Sequence, residues 1–389
     1  MKTKFLALLV LTFSQFAFCI DGILLKTTDY SFRDKWDNTL GKTVPKVFET
    51  DVVYRGQNLF LPVIAMDFAL KDGAAKAQYS VQIRKPDQSI YMSEENLDFI
   101  DRKIINKDYL QMSTSVVRIS FTDDDAFGKY TIQVTINDLF SNKTKVISSE
   151  IELKPLVPYH DKVFKDDGEF SRWLSEYYIQ PKPTEAVAAY LYYTKSKFSE
   201  DDKVFLSIFS EFLEITRNNT FILPLILDAF KKEDEKCRIF LLYLLYPNFE
   251  EKDYIHLLND KEKGMLDKVK DMKIPDIYGE IYSGEQLDML WSTFMGSGSY
   301  KTIFKLVETL DYAKFKGDLE KYKTSNKTQE DKNKAIKNAV YDALVWSLES
   351  NCKQHELVLN YCNWILKYEN LNPIQKSELE KILKKVGNN

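Results

Sequence analysis

The sequence predicts a multi-domain β + α protein, with an N-terminal immunoglobulin-like antiparallel β-sandwich followed by a C-terminal α-helical array of solenoid-like character. Three observations predict it. Between about residues 50 and 154, short runs rich in β-branched and aromatic residues alternate with turn signals. Pro155, Pro158 and the polar stretch 160–168 then interrupt that pattern. From residue 169 onward, large apolar residues recur at helical spacing. The predicted division is a signal peptide over 1–19, the sandwich over 20–157, a linker over 158–168 and the helical domain over 169–389.

The first segment has the anatomy of a secretory signal peptide. Lys2 and Lys4 precede an unbroken apolar run over 5–11, and Ala17-Phe18-Cys19 puts small residues at the −3 and −1 positions of a cleavage site. The apolar stretch is too short to span a bilayer as a helix. Lipid attachment at Cys19 is disfavoured, because it wants a small residue just before the cysteine and Phe18 stands there. The expected location is therefore outside the cytoplasm, periplasmic or secreted. No other apolar run is long enough for a membrane helix.

Strands are expected over 52–54, 59–64, 77–84, 116–121, 130–136 and 146–153. Tyr130, Ile132, Val134 and Ile136 alternate with polar residues, which marks a strand with one buried face. Asp123-Asp124-Asp125-Ala126-Phe127-Gly128-Lys129-Tyr130 leads into that strand. An acidic turn, a glycine and then a tyrosine suggest a structural corner formed by Asp125, Gly128 and Tyr130, the Tyr130 hydroxyl bonding back to the turn. Helices are expected over 170–178, 204–213, 219–230, 238–246, 287–295, 300–310, 335–348, 357–367 and 374–383. No clean fixed-period repeat runs through them. The helices around Trp291 and Trp346 are amphipathic enough to bury both rings.

Composition narrows the function. With 54 Lys and Arg against 58 Asp and Glu, the formal net charge is −4, which argues against a broad nucleic-acid face. Outside the leader only Cys237, Cys352 and Cys362 remain. A disulfide would most simply join Cys352 to Cys362, and otherwise the two are independent helix residues. Cys352, His355 and Cys362 lack the spacing of a zinc module. Asp123 to Asp125 lack the alternation of a calcium loop. The three histidines, His160, His256 and His355, sit beside no nucleophile elbow. Ser297 and Ser299 read as a helix-ending turn in which Ser299 opens the next helix. The aromatic set Trp173, Tyr177, Tyr178, Tyr190, Tyr192 and Tyr193 suits core packing better than a groove. No cofactor, metal or catalytic residue is expected.

Three blocks carry a resemblance. They are Arg84-Lys85-Pro86-Asp87 with the Asp123–Tyr130 turn, Tyr177-Tyr178-Ile179-Gln180-Pro181, and Leu287 to Gly298 with Trp346 to Asn351 downstream. Together they resemble a loose set of exported, uncharacterised bacterial proteins with a sandwich-like front and a helical rear. The resemblance implies an architecture and no activity. Those relatives carry Ala-Thr-Gly where this chain has Gly296-Ser297-Gly298, a change that reads as a tolerated turn variation. The expected function is a non-enzymatic protein-binding or scaffolding role, with another protein as partner. The alternatives are an envelope polymer or peptide hydrolase using carboxylates in an interdomain cleft, and a secreted host-directed effector.

Overall fold

The structure, a computed structural model, describes residues 20–40, 44–104, 106, 108–160, 164–324 and 328–387, with only the backbone at 202 and 203. The predicted signal peptide and Cys19 lie outside the described residues. A sheet-rich N-terminal region is followed by a helical C-terminal region.

The first region runs β1 (Asp21–Leu24), α1 (Phe32–Asp37), β2 (Val52–Tyr54), β3 (Asn58–Leu61), β4 (Val63–Met66), β5 (Ala74–Arg84), β6 (Ile90–Lys103), β7 (Gln111–Met112), β8 (Val117–Ser120), β9 (Gly128–Asp138) and β10 (Lys143–Lys154). The expected strand 59–64 is two strands, because Pro62 between β3 and β4 cannot donate to a ladder. The strands form a five-stranded sheet in the order β2-β10-β9-β5-β6, a three-stranded sheet β1-β4-β7 and a pair β3-β8. One apolar core joins all three sheets. Tyr79, Ile83, Tyr130, Ile132 and Val134 enter it from the five-stranded sheet, and Leu24, Leu59, Leu61, Val63 and Ile119 from the others.

The pairing corrects the expectation of a wholly antiparallel region. β10 runs parallel to β2, with Glu152 opposite Val52 and Lys154 opposite Tyr54. Almost a hundred residues separate the two strands, so no hairpin dictates their direction. The sequence also hides β6. It is an edge strand with register shifts against β5, and most of its residues are exposed on both faces. No alternation survives in such a strand, and its charges suit an edge that must not recruit another chain.

The helices are α2 (Asp167–Glu176), α3 (Pro183–Lys195), α4 (Asp202–Asn218), α5 (Leu223–Lys232), α6 (Glu235–Asn248), α7 (Asp260–Asp271), α8 (Gly284–Ser297), α9 (Tyr300–Thr309), α10 (Asp318–Thr324), α11 (Gln329–Gln354), α12 (Glu356–Tyr368) and α13 (Pro373–Gly387). Asp166 caps α2 by accepting from the Glu169 N–H at 2.8 Å, so the helix starts inside the expected linker. Helix α3 escapes periodicity because it is buried nearly all round, from Ala186 through Leu191. A capping box between Thr328 and Asp331 starts α11 within the charged stretch 314–337, whose sequence reads as an exposed connection plus a helix start. Trp346 on α11 is 73% exposed while Trp291 is buried, against the expectation that both rings are covered.

Two apolar cores divide the helical region. One gathers α2 to α7 around Tyr190, Phe212 and Leu241, and the other gathers α8, α9 and α11 to α13 around Phe294, Leu344 and Tyr361. Gly296 lets α4 and α8 meet. A Cβ there would stand 2.9 Å from the Glu211 carbonyl oxygen and 3.3 Å from Glu211 Cγ. Gly296 therefore lies in a helix at a close backbone approach, not in a permissive turn. Gly296→Ala is expected to destabilise by about 1–3 kcal/mol through overpacking. A urea midpoint equal to that of the parent would show that the two helices part freely.

Candidate functional site

The N-terminal and helical regions meet at α1. Adjacent residues on a helix point about 100° apart, so Lys35 and Trp36 face different surroundings. Lys35 turns inward, with its side chain 1% exposed. Its ammonium donates to Asp29 Oδ2 at 2.5 Å and to the Tyr178 carbonyl at 2.7 Å. Asp29 Oδ1 accepts from the Ser31 N–H at 2.9 Å and the Ser31 hydroxyl at 2.8 Å. The end of α8 closes over this pair. Gly298, at φ +70°, ends the helix, and a Cβ there would meet Lys35 Cε at 3.0 Å. Asp34 adds a second tie by accepting from the Tyr300 N–H at 3.2 Å. An exposed Lys46–Glu356 ion pair at 2.9 Å adds a third.

Anchored this way, α1 forms one wall of a cleft of about 830 Å³ with Trp36 and Asp37. Arg102 at the end of β6, Asp108 and Tyr109 before β7, and Gln111 on β7 form a second wall. Helix α12 forms the third with Trp364, Lys367 and Tyr368. Trp364 and Tyr368 are four residues apart and so share one helix face, with ring centroids 4.3 Å apart at 49°. Lys367 Nζ lies 5.0 Å from the Tyr368 ring centroid. Arg102 Nη2 donates to Gln111 Oε1 at 3.2 Å, and Gln111 Nε2 donates to the Tyr109 carbonyl at 3.2 Å. Partial desolvation raises the Asp37 carboxyl above its ordinary range, against the pull of Arg33 and Arg102. Both acids lining this cleft, Asp37 and Asp108, are exposed.

The residues singled out from sequence lie elsewhere. The Tyr130 hydroxyl donates to the Ala126 carbonyl at 2.9 Å. Asp125 Oδ2 accepts from the Thr122 N–H at 2.7 Å, and Gly128 takes φ +130° as β9 begins. The carboxylate of Asp125 therefore serves its own turn, while Asp123 and Asp124 face solvent. Tyr130→Phe is expected to lower stability by about 1 kcal/mol, measured as the urea midpoint. An unchanged midpoint would remove the corner bond as a contributor.

Cys352 and Cys362 are free, buried thiols with Sγ atoms 3.8 Å apart, where a disulfide needs about 2.05 Å. Contact with Cys352 and burial push the Cys362 thiol well above its usual range. His355 Nδ1 shares a hydrogen bond with the Tyr178 hydroxyl at 3.1 Å, and burial lowers its pKa. Among the described residues no cluster of three or more His, Cys, Asp or Glu side chains is arranged to hold a metal ion. Ser297 Oγ donates to the Thr293 carbonyl at 2.7 Å, and Ser299 stands at the N-cap of α9. Tyr177, Tyr178, Tyr190 and Tyr193 are buried, so the aromatic set noted in the sequence is core. Trp173 and Tyr192 are half-buried, bonded to Glu185 and Asp167. Among the described residues no helix is long and apolar enough to cross a membrane.

The sequence reading missed the cleft. Trp36 lies in the stretch 20–50, where no element was expected. The one available signal was the Trp364/Tyr368 spacing beside Lys367, a helix face too aromatic and too charged for an interior.

No protein-family model matches the chain, and no curated protein matches it. Among solved structures, the chain is similar over part of its length to a family 123 glycoside hydrolase from Clostridium perfringens, at 12% identity and a TM-score of 0.21. The match covers 35% of this chain and 28% of the hydrolase, and at that score it carries no argument about fold, substrate or reaction.

Proposed function

We propose that this chain is an exported protein with a non-enzymatic binding or scaffolding role in the bacterial envelope or outside the cell. In this reading the sheet-rich region is an immunoglobulin-like sandwich and the helical region a solenoid-like array. The two hold one recognition surface between them, the cleft of Trp36, Arg102, Trp364 and Tyr368. The observation that carries the proposal is the cleft's composition. Trp, Tyr and Arg are the residues that dominate binding energy at recognition surfaces, and here they come from three separate elements. The ties at Lys35 and Asp34 hold α1 in place, so little ordering cost falls on binding. A hydrolase at this cleft would ask for two buried, close acids, whereas Asp37 and Asp108 are both exposed.

The test is cross-linking of the mature protein in its native envelope or culture supernatant, read by mass spectrometry. A single reproducible partner, lost when Tyr368 is replaced by alanine, is the expected result. Equal recovery by the parent and the Tyr368→Ala variant would overturn the cleft as the binding surface. An exported chain also meets disulfide-bearing oxidants. There the Cys352 and Cys362 thiols are expected to give up both hydrogens by exchange and close as a disulfide. Intact mass would fall by about 2 Da. An unchanged mass after incubation with glutathione disulfide under mild denaturation would count against the pairing.

A further inference from the structure

We infer that the cleft between α1, α12 and the β6–β7 connection binds a neutral oligosaccharide. This inference rests on the binding role proposed above and names the chemistry that the site recognises.

The volume is that of a small-ligand site. A volume of about 830 Å³ enclosed by three walls falls within the roughly 300–1,000 Å³ of small-ligand sites. The aromatic walls supply planes. Trp36, Tyr109, Trp364 and Tyr368 present ring area that covers the C–H face of a sugar with little loss of side-chain freedom. Trp364 and Tyr368 are tilted by 49° to each other, so they form an angled platform rather than a slot for one flat ring. A planar aromatic ligand would want parallel plates.

The polar groups point the same way. Arg102 and Lys367 donate, while Asp37 and Asp108 accept, and all four are exposed at the cleft. Two positive and two negative side chains carry no net charge between them, so the charge count favours neither an anion nor a cation. The site does offer both donors and acceptors beside aromatic rings. Arg102 uses one of its five N–H groups on Gln111 and interacts electrostatically with Asp37. A hydroxyl both donates and accepts, so vicinal hydroxyls match a site of this kind without bringing charge. An apolar peptide side chain would instead strand these charges.

The sugar has two possible sources, a polysaccharide or the glycan of a partner glycoprotein. The experiment has an arm for each. In the first, the full chain is titrated calorimetrically with cellohexaose, xylohexaose, mannohexaose and maltohexaose. One of these is expected to bind, with affinity falling at least about tenfold in Tyr368→Ala and in Arg102→Ala. Both residues are exposed, so neither change threatens folding. Trp346→Ala, which removes an exposed ring that is not among those lining the cleft, should bind as the parent does. In the second arm, the cross-linked partner is captured before and after periodate oxidation of its vicinal diols. Loss of cleft-dependent capture after periodate assigns the sugar to a glycoprotein. Hexasaccharide binding with the stated variant pattern assigns it to a polysaccharide.

Failure of both arms overturns the saccharide inference. If capture survives periodate yet still needs Tyr368, the binding role stands and its ligand is protein. If capture is also indifferent to Tyr368, both readings fall together.

Discussion

Lys35→Met is expected to destabilise the protein by about 3–5 kcal/mol, the size seen when one member of a buried ion pair is removed. The reason is desolvation. Lys35 and Asp29 are 1% and 3% exposed, so neither charge has water to fall back on. Methionine replaces most of the lysine stem but returns nothing to Asp29 Oδ2 or to the Tyr178 carbonyl. Asp29 keeps its two bonds from Ser31, which satisfy Oδ1 but bring no opposite charge. By contrast, exposed pairs such as Lys46–Glu356 are worth about 0–1 kcal/mol and weaken in salt.

A double-mutant cycle with Asp29→Asn separates the pair from its surroundings. Each single change should be severe, and the double change should cost less than their sum by about 0.5–3 kcal/mol, because it leaves no unpaired charge. Strict additivity in urea unfolding would show that the two groups act independently. The pair also reaches function. Lys35 is the inward neighbour of Trp36 and Asp37, so loosening α1 should weaken binding at the cleft even at temperatures where the variant remains folded.

The legible parts of the fold were those governed by local periodicity. The alternation of Tyr130, Ile132, Val134 and Ile136 located β9, which buries one face, and the helical spacing of large apolar residues in 204–213 located α4. The parts that were not legible fail for two opposite reasons. β6 is exposed on both faces and α3 is buried on nearly all, so neither carries a polar–apolar contrast. The pairing of β2 with β10 is a tertiary choice that no window of sequence contains. The candidate site belongs to the same category. Trp36, Arg102 and Trp364 lie far apart along the chain, and only the meeting of the two regions brings them to one cleft. Of the tyrosines that did stand out, Tyr177 and Tyr178 just after α2 and Tyr193 on α3 enter the cores, while Tyr192 packs half-buried against one of them.

Glu211→Gln should remove the pH dependence of stability that this one residue contributes. Glu211 on α4 is 2% exposed, and its Oε1 meets no hydrogen-bond donor among the described residues. Burial raises its pKa well above the ordinary 4.5. The sign follows from proton binding. The folded state holds this proton more tightly than the unfolded chain, so above pH 4.5 folding takes up a proton. The contribution is therefore complete below the unfolded value. It declines as pH rises, at up to about 1.4 kcal/mol per pH unit, until the folded group ionises.

Glutamine keeps the shape and cannot ionise. Relative to the parent, the variant should be close to neutral near the unfolded value of 4.5 and increasingly more stable as pH rises above it. Other carboxyls titrate in both chains and cancel in the difference. Glu378 is one of them: burial pushes it up, but bonds from Lys381, Tyr341 and Lys316 outweigh that and hold it at about 2. Urea midpoints of the two proteins, measured as pH rises, give the difference directly. Parallel profiles would mean that water or a rearranged neighbour already satisfies the Glu211 carboxylate. Its position beneath Gly296 would then be a matter of packing alone, because the α4–α8 approach would be tolerating a solvated charge at its centre.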